Sequence, residues 1–247
     1  MTSSTSSASP LLLAVESSTW TLSLCLSRGV DLIAEEILYD SRNHTELLLP
    51  RIDQLLALAG LPLSSIELYA IGLGPGSFTG LRIGLSTLKA LAWSQDRPLV
   101  GVNSMDALAL DPPLRSGWLA VAQDARKKEV YGAIYRVDGF SASRLGPCLV
   151  QAPTTLCQTI AARVDDDQPL VLIGSGAQLY RSTFVERFGA TAVPPEGHHG
   201  HQVRAQQIAR LAFERWARGA TMELAAIEPE YVRPSEAELG RKNRTTT

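Results

Sequence analysis

The stretch Gly72 to Gly84, GLGPGSFTGLRIG, combines five glycines with a proline and has no acidic residue. That composition suits a loop that holds an anion on backbone N–H groups. A Walker loop needs a lysine and a hydroxyl straight after its last glycine, but Gly80 is followed by Leu81 and Arg82. A dinucleotide fingerprint needs GxGxxG, whereas Gly74, Gly76 and Gly80 give GxGxxxG. Two readings stay open. Ser77, Phe78 and Thr79 could open a helix whose first amides face an anion, with Ser77 or Thr79 as N-cap. Alternatively, Gly80 and Gly84 clear one stripe of that helix and let a second helix approach closely, and this reading is preferred.

Other residues offer less. The junction LVLIGSGA places Ser175 between Gly174 and Gly176, either to receive a nucleotide's phosphate or adenosine or simply to turn the chain. With Ser17 and Thr19 of an earlier polar turn, these make up the candidate phosphate-binding set. His198, His199 and His201 cluster in PPEGHHGHQ, where a metal would need a further ligand from elsewhere; an exposed loop is the simpler reading, and no metal site is assigned. Asp124, Arg126 and Glu129 read equally as surface charges or as catalytic groups. No Ser/His/Asp or Cys/His order marks a nucleophile, so no catalytic residue is assigned.

The elements that must position these residues follow from periodicity. LLLAV (11–15) and TLSLCLS (21–27) flank the turn Glu16-Ser17-Ser18-Thr19 as a hairpin, which 30–38 extends. Leu48, Ile52, Leu55, Leu56 and Ala59 fall at helical spacing over 44–59, and Gly60 with Pro62 ends that helix. A buried strand over 66–73 runs into the glycine loop, and a second helix reaches Trp93 before a strand over 98–102. The layout then recurs: GWLAVAQDA (117–125) and EVYGAIYRV (129–137) surround Arg126-Lys127-Lys128. A strand follows over 144–150, a helix over 153–163, a strand over 169–174 and a helix over 176–188. Two copies of one α/β unit are expected: a leader over 1–9 without order, a lobe over 10–110, a second over 111–202, a last helix over 203–217 packing back on the first lobe, and a flexible tail over 234–247.

The chain of 247 residues has 23 Lys and Arg against 25 Asp and Glu, a net charge of −2. No global positive field draws it to nucleic acid. Its three cysteines are widely spaced without a CxxC pair, which suggests small core residues in a reducing compartment. The first residues lack the cationic and apolar regions of a signal peptide, and no apolar run reaches the roughly 20 residues that span a bilayer. The expectation is a cytoplasmic protein without a membrane contact.

Together LLLAVESSTWTLSLCL, HTELLLPRIDQLL, GPGSFTGLRIGLSTLKALA, PLVGVNSMDALA, DARKKEVYGAIY and EPEYVR resemble the TsaB (YeaZ) family of tRNA threonylcarbamoyladenosine biosynthesis proteins, in family order from 11 to 233. The resemblance implies an α/β fold of the actin-like ATPase superfamily, with a ribonuclease H-like mixed sheet and flanking helices in each of two lobes. It implies a non-catalytic paralogue of TsaD, the subunit that modifies the adenosine beside the anticodon. TsaD binds its metal partly through two histidines four apart after GVN; here Ser104 and Leu108 stand at those positions. The implied partners are TsaD, the ATPase TsaE and, through the complex, tRNA, with a homodimer when the chain is alone. No cofactor is required by the chain itself, and ATP or ADP belongs at the complex interface. The implied partner surface is Leu48, Ile52, Leu55, Leu56, Gly80, Leu81, Gly84, Leu85 and Leu88 on the two long helices. Glu16 stands where the family commonly has Asp in the phosphate-handling turn, and His44 matches a TsaD histidine but lacks a second ligand. A stand-alone ATPase or phosphotransferase using Ser17, Thr19 and the Gly174 loop is the alternative; a metallopeptidase lacks its histidine pair.

Overall fold

The structure, a computed structural model, describes residues 9–39, 43–165, 167–195, 197, 199–220 and 223–233. The tail over 234–247, the leader apart from Ser9, and His198 lie outside the described residues.

β1 (Leu11–Glu16), β2 (Leu22–Arg28) and β3 (Asp31–Leu38) form an antiparallel meander. Next come α1 (His44–Ala59), β4 (Leu68–Gly72), α2 (Phe78–Ser94), β5 (Leu99–Val102) and the short α3 (Ser104–Leu108). β4 and β5 add in parallel beside β1, giving the order β3-β2-β1-β4-β5. The unbroken apolar run of β1 is explained by burial on both faces. Leu11, Leu13 and Val15 join the core under α1 and α2, while Leu12 and Ala14 point to the opposite side.

The second unit opens with β6 (Ser116–Asp124) and β7 (Val130–Asp138), an antiparallel pair, and continues with β8 (Ser141–Arg144), β9 (Leu149–Gln151), α4 (Pro153–Ala161) and β10 (Leu170–Ile173). The single strand expected over 144–150 is two short ones, both on β7. Gly146 at φ +78° and Pro147, which has no N–H for the ladder, interrupt it. The helix expected over 176–188 is likewise divided at Tyr180 into α5 (Ser175–Leu179) and α6 (Arg181–Phe188). This sheet runs β10-β6-β7-β8 and, among the described residues, has no counterpart of β5.

α7 (Ala205–Ala217) follows the second sheet in sequence but packs across β1, β2, β4 and β5 of the first. Its Ala205, Ile208, Ala209 and Ala212 share one central core with Leu119, Val121, Ala133 and Tyr135 of the second sheet. Cys25 and Cys157 are buried, Cys148 is half-buried, and none forms a disulfide. Burial pushes the Cys25 thiol up to about 12, which fits a small apolar filler.

Candidate functional site

The glycine loop folds down onto the β1–β2 turn. A Cβ on Gly76 would lie 2.2 Å from the Ser18 carbonyl oxygen, one on Gly80 2.2 Å from that of Ser17, and one on Gly84 2.2 Å from Ser17 Oγ. Three glycines thus bring loop and helix against one turn. The contact is tied by the Ser77 amide donating to Ser18 O at 2.6 Å and by Ser17 Oγ donating to Gly80 O at 2.9 Å. Ser77 caps α2 by accepting from the Gly80 amide at 3.3 Å.

This geometry corrects the expected partner surface. Leu48, Ile52, Leu55, Leu56, Gly80, Leu81, Gly84, Leu85 and Leu88 are all buried within the chain itself. The apolar stripe of each long helix covers the chain's own first sheet, and the glycines admit the hairpin turn, not a helix from outside. The outer sides of α1 and α2 instead expose Leu49, Leu58 and Trp93, the last two at 83% and 80%.

The same turn carries Glu16, which is wholly buried. Its Oε1 accepts from the Ser18 amide at 2.6 Å and its Oε2 from Ser104 Oγ at 2.7 Å. Ser104 Oγ also accepts from the Gly74 amide at 3.1 Å, and Gly72 leaves room for the carboxyl, since a Cβ there would meet Oε2 at 2.0 Å. Burial raises the Glu16 pKa, and the hydrogen bonds from Ser18 and Ser104 and the charge of His44 oppose the rise. Leu108, on the same short helix as Ser104, is buried in the central core. His44 is buried too, its Nε2 3.0 Å from the Thr19 carbonyl oxygen and its Nδ1 without a hydrogen-bond partner. No group of three His, Cys, Asp or Glu among the described residues is placed to hold a metal ion.

Between the lobes lies a cleft of about 400 Å³ lined by Thr19, Trp20, Ser77, Gln123, Asp124, Arg126 and Ser175, among others. The candidate phosphate set divides over it. Thr19 and Ser175 face the cleft, while Ser17 is turned away beneath α2. Gly174 and Gly176 serve close packing, because Cβ atoms there would come within 2.3 Å of Ala122 O and 2.8 Å of Gln123 C. Ser175 Oγ donates to Gln123 Oε1 at 2.7 Å and accepts the Asp124 amide at 3.1 Å. Gln123 Nε2 is left buried without a partner. His201 is not on an exposed loop: it is buried, and its Nδ1 accepts the Gly174 amide at 3.1 Å. A lone histidine in a Gly-His repeat carries no periodic sign of such a role.

Two connections across the cleft also escape sequence reading. Arg126 stacks on the Trp20 ring 4.7 Å from its centroid. The segment 228–233 runs from one lobe to the other. Its Glu230 amide donates to Leu73 O at 2.8 Å, and Tyr231 lies 5.2 Å from the Phe78 ring. Arg233 donates to Ala125 O at 3.0 Å and pairs with Glu129. The β6–β7 turn it reaches holds Arg126, Lys127 and Lys128 in succession at φ +58°, +53° and +62°. Such left-handed residues with side chains are strained by about 1–2 kcal/mol each, offset here by Asp124 Oδ1 accepting the Arg126 amide at 2.9 Å and by the Ala125–Glu129 backbone bond.

Two lobes, each a mixed sheet opened by a hairpin whose turn faces a shared cleft, place the molecule in the actin-like ATPase fold class. In keeping with this, the structure of YeaZ from Pseudomonas aeruginosa superposes with a TM-score of 0.74 at 28% identity, covering 90% of this chain and 99% of that one. The TsaB protein of Bacillus subtilis is 28% identical over 92% of this chain and 96% of its own length, and that of Escherichia coli is 29% identical over 79% and 83%. The family described as "TsaD: tRNA N6-adenosine threonylcarbamoyltransferase" matches residues 33–240, and the chain belongs to it, in the TsaB (YeaZ) group.

Proposed function

We propose that this chain is the non-catalytic subunit of the complex that makes threonylcarbamoyladenosine in tRNA, docking and activating a TsaD-type transferase. The pathway comes from the named relatives. The non-catalytic role is carried by one observation: in the turn that handles phosphate in catalytic members of the fold, the Glu16 carboxylate is wholly buried and committed to Ser18 and Ser104. It offers no oxygen to a metal–phosphate in the cleft, and Ser104 and Leu108 bring no imidazole.

The docking face in this reading is the outer side of α1 and α2, with Leu49, Leu58 and Trp93 exposed. A TsaE-type ATPase joins the complex, tRNA is bound by the assembly, ATP or ADP sits at the assembly's interface, and the same face closes a homodimer when the partner is absent. The work takes place in the cytoplasm; no helix among the described residues is long and apolar enough to cross a membrane. The test is threonylcarbamoyl transfer to tRNA by purified TsaD-type and TsaE-type proteins and the adenylate-forming enzyme, with this chain present or omitted. Transfer that needs the chain supports the reading; equal transfer without it overturns it. The unpartnered Gln123 Nε2 in the cleft favours a second reading, a nucleotide turned over by this chain alone, which phosphate release by the isolated chain tests.

A further inference from the structure

Beside the cleft, on its outer rim, a second groove of about 650 Å³ runs between the start of α2 and the β6–β7 turn. We infer that this groove binds single-stranded RNA, so that the chain itself contributes part of the tRNA contact; the inference rests on the tRNA reading above and gives it a surface.

Three observations carry it. The first is charge. A chain with a net charge of −2 collects Arg82, Arg126, Lys127 and Arg233 on the groove wall, against Asp124 and Glu230. Lys128 adds to the same turn, and Arg82, Arg126, Lys127 and Lys128 are all exposed. The second is flat apolar surface interleaved with the cations. Phe78 and Tyr231 are exposed at 39% and 45%, and the Arg82 guanidinium lies 3.7 Å from the Phe78 centroid while its Nε donates to Tyr231 OH at 3.2 Å. Alternating cations and aromatic faces suit a phosphate backbone whose bases are unstacked, and a duplex would leave the rings unused. The third is backbone strain. Three consecutive left-handed residues, all basic, project from one turn, and a strained conformation held in place by its neighbours is commonest where a ligand is met. An acidic protein surface would match the same charges, and competition by polyglutamate tells the two occupants apart.

The probe is a fluorescein-labelled anticodon stem-loop RNA, titrated by anisotropy over a salt series against the chain alone and against its complex with the TsaD-type partner. Reversing the turn, Arg126→Glu with Lys127→Glu and Lys128→Glu, should weaken binding roughly tenfold or more and flatten the slope of log K against log salt by about 2, at about 0.7 for each phosphate that is no longer neutralised. Phe78→Ala should weaken binding roughly tenfold with the slope unchanged, because stacking is not a counterion effect. Should the triple reversal fail to fold or assemble, Lys127→Gln with Lys128→Gln reads the same slope with a smaller expected change of about 1.4. The inference is overturned if the charge variants bind RNA as the parent does, if neither the chain nor its complex binds the RNA, or if polyglutamate displaces the RNA at equal charge concentration. The transfer assay separates the two claims: transfer that needs the chain while the variants bind RNA normally removes the groove and leaves the function, whereas transfer without the chain removes the function, and the titration on the isolated chain still decides the groove.

Discussion

The β1–β2 turn and the β6–β7 turn occupy equivalent places in two copies of one folding unit, yet they are built in opposite ways. The first is closed. Glu16, Ser17 and Ser18 are buried, their polar atoms bonded to Ser104, Gly80 and Ser77, and glycines beneath them let the glycine loop and α2 sit in direct contact. The second is open. Its three basic residues are exposed on a strained backbone, with the 228–233 segment and Trp20 against the turn. Duplication supplies the same scaffold twice; burial decides that one copy becomes support and the other a contact surface.

The contrast is broken most severely at Gly84. Gly84→Leu drives a side chain into Ser17 and Ile71, and urea unfolding should show a loss of about 3 kcal/mol or a chain that no longer folds, since overpacking at rigid backbone is poorly relieved. A parent-like midpoint would show the turn to be pliable. Ser104→Ala removes the hydroxyl shared by Glu16 and Gly74 and should lower stability in the same urea titration by about 1–3 kcal/mol.

Glu16→Gln sharpens the comparison through pH. The folded-state pKa of Glu16 lies above its ordinary value, so the protonated form favours folding. Its contribution is fully present below the unfolded pKa and fades as pH rises through the folded one, above which a buried carboxylate remains. The melting temperature of Glu16→Gln relative to the parent should therefore rise from pH 5 to pH 8, and a flat difference would mean that the carboxyl titrates normally. The smallest effect has the opposite sign to Gly84→Leu. Lys128→Gly relieves a left-handed residue at φ +62° and should stabilise by about 0.5 kcal/mol, the strain relieved less the extra freedom of the unfolded glycine; destabilisation would show that the Lys128 side chain itself holds the turn.

Legibility in the sequence follows the reach of each interaction. The two meanders, α1 and α2 announce themselves because their signals, short apolar runs and a period near four, lie within single segments such as LLLAV and Leu48-Ile52-Leu55-Leu56. The glycine loop is conspicuous, but its partner is not: what lies against Gly80 and Gly84 is Ser17, more than sixty residues earlier, and composition gives no hint of which surface a bare stripe receives. A buried stripe consequently reads as an outer one. The bonds of His201 to Gly174 and of Arg233 to Ala125 are likewise long-range, with no periodicity to betray them. Ser17 falls out of the phosphate set because one residue of register along a turn decides between cleft and core.

The return of α7 to the first sheet bears on how the molecule is born. A ribosome releases the first lobe long before residues 205–217 emerge, so the inner face of β1, β2, β4 and β5 stays uncovered while nearly the whole second lobe is being made. Folding of the first lobe is thus completed only once α7 has emerged, and a nascent chain stalled after β10 would present an apolar sheet to the chaperones around it.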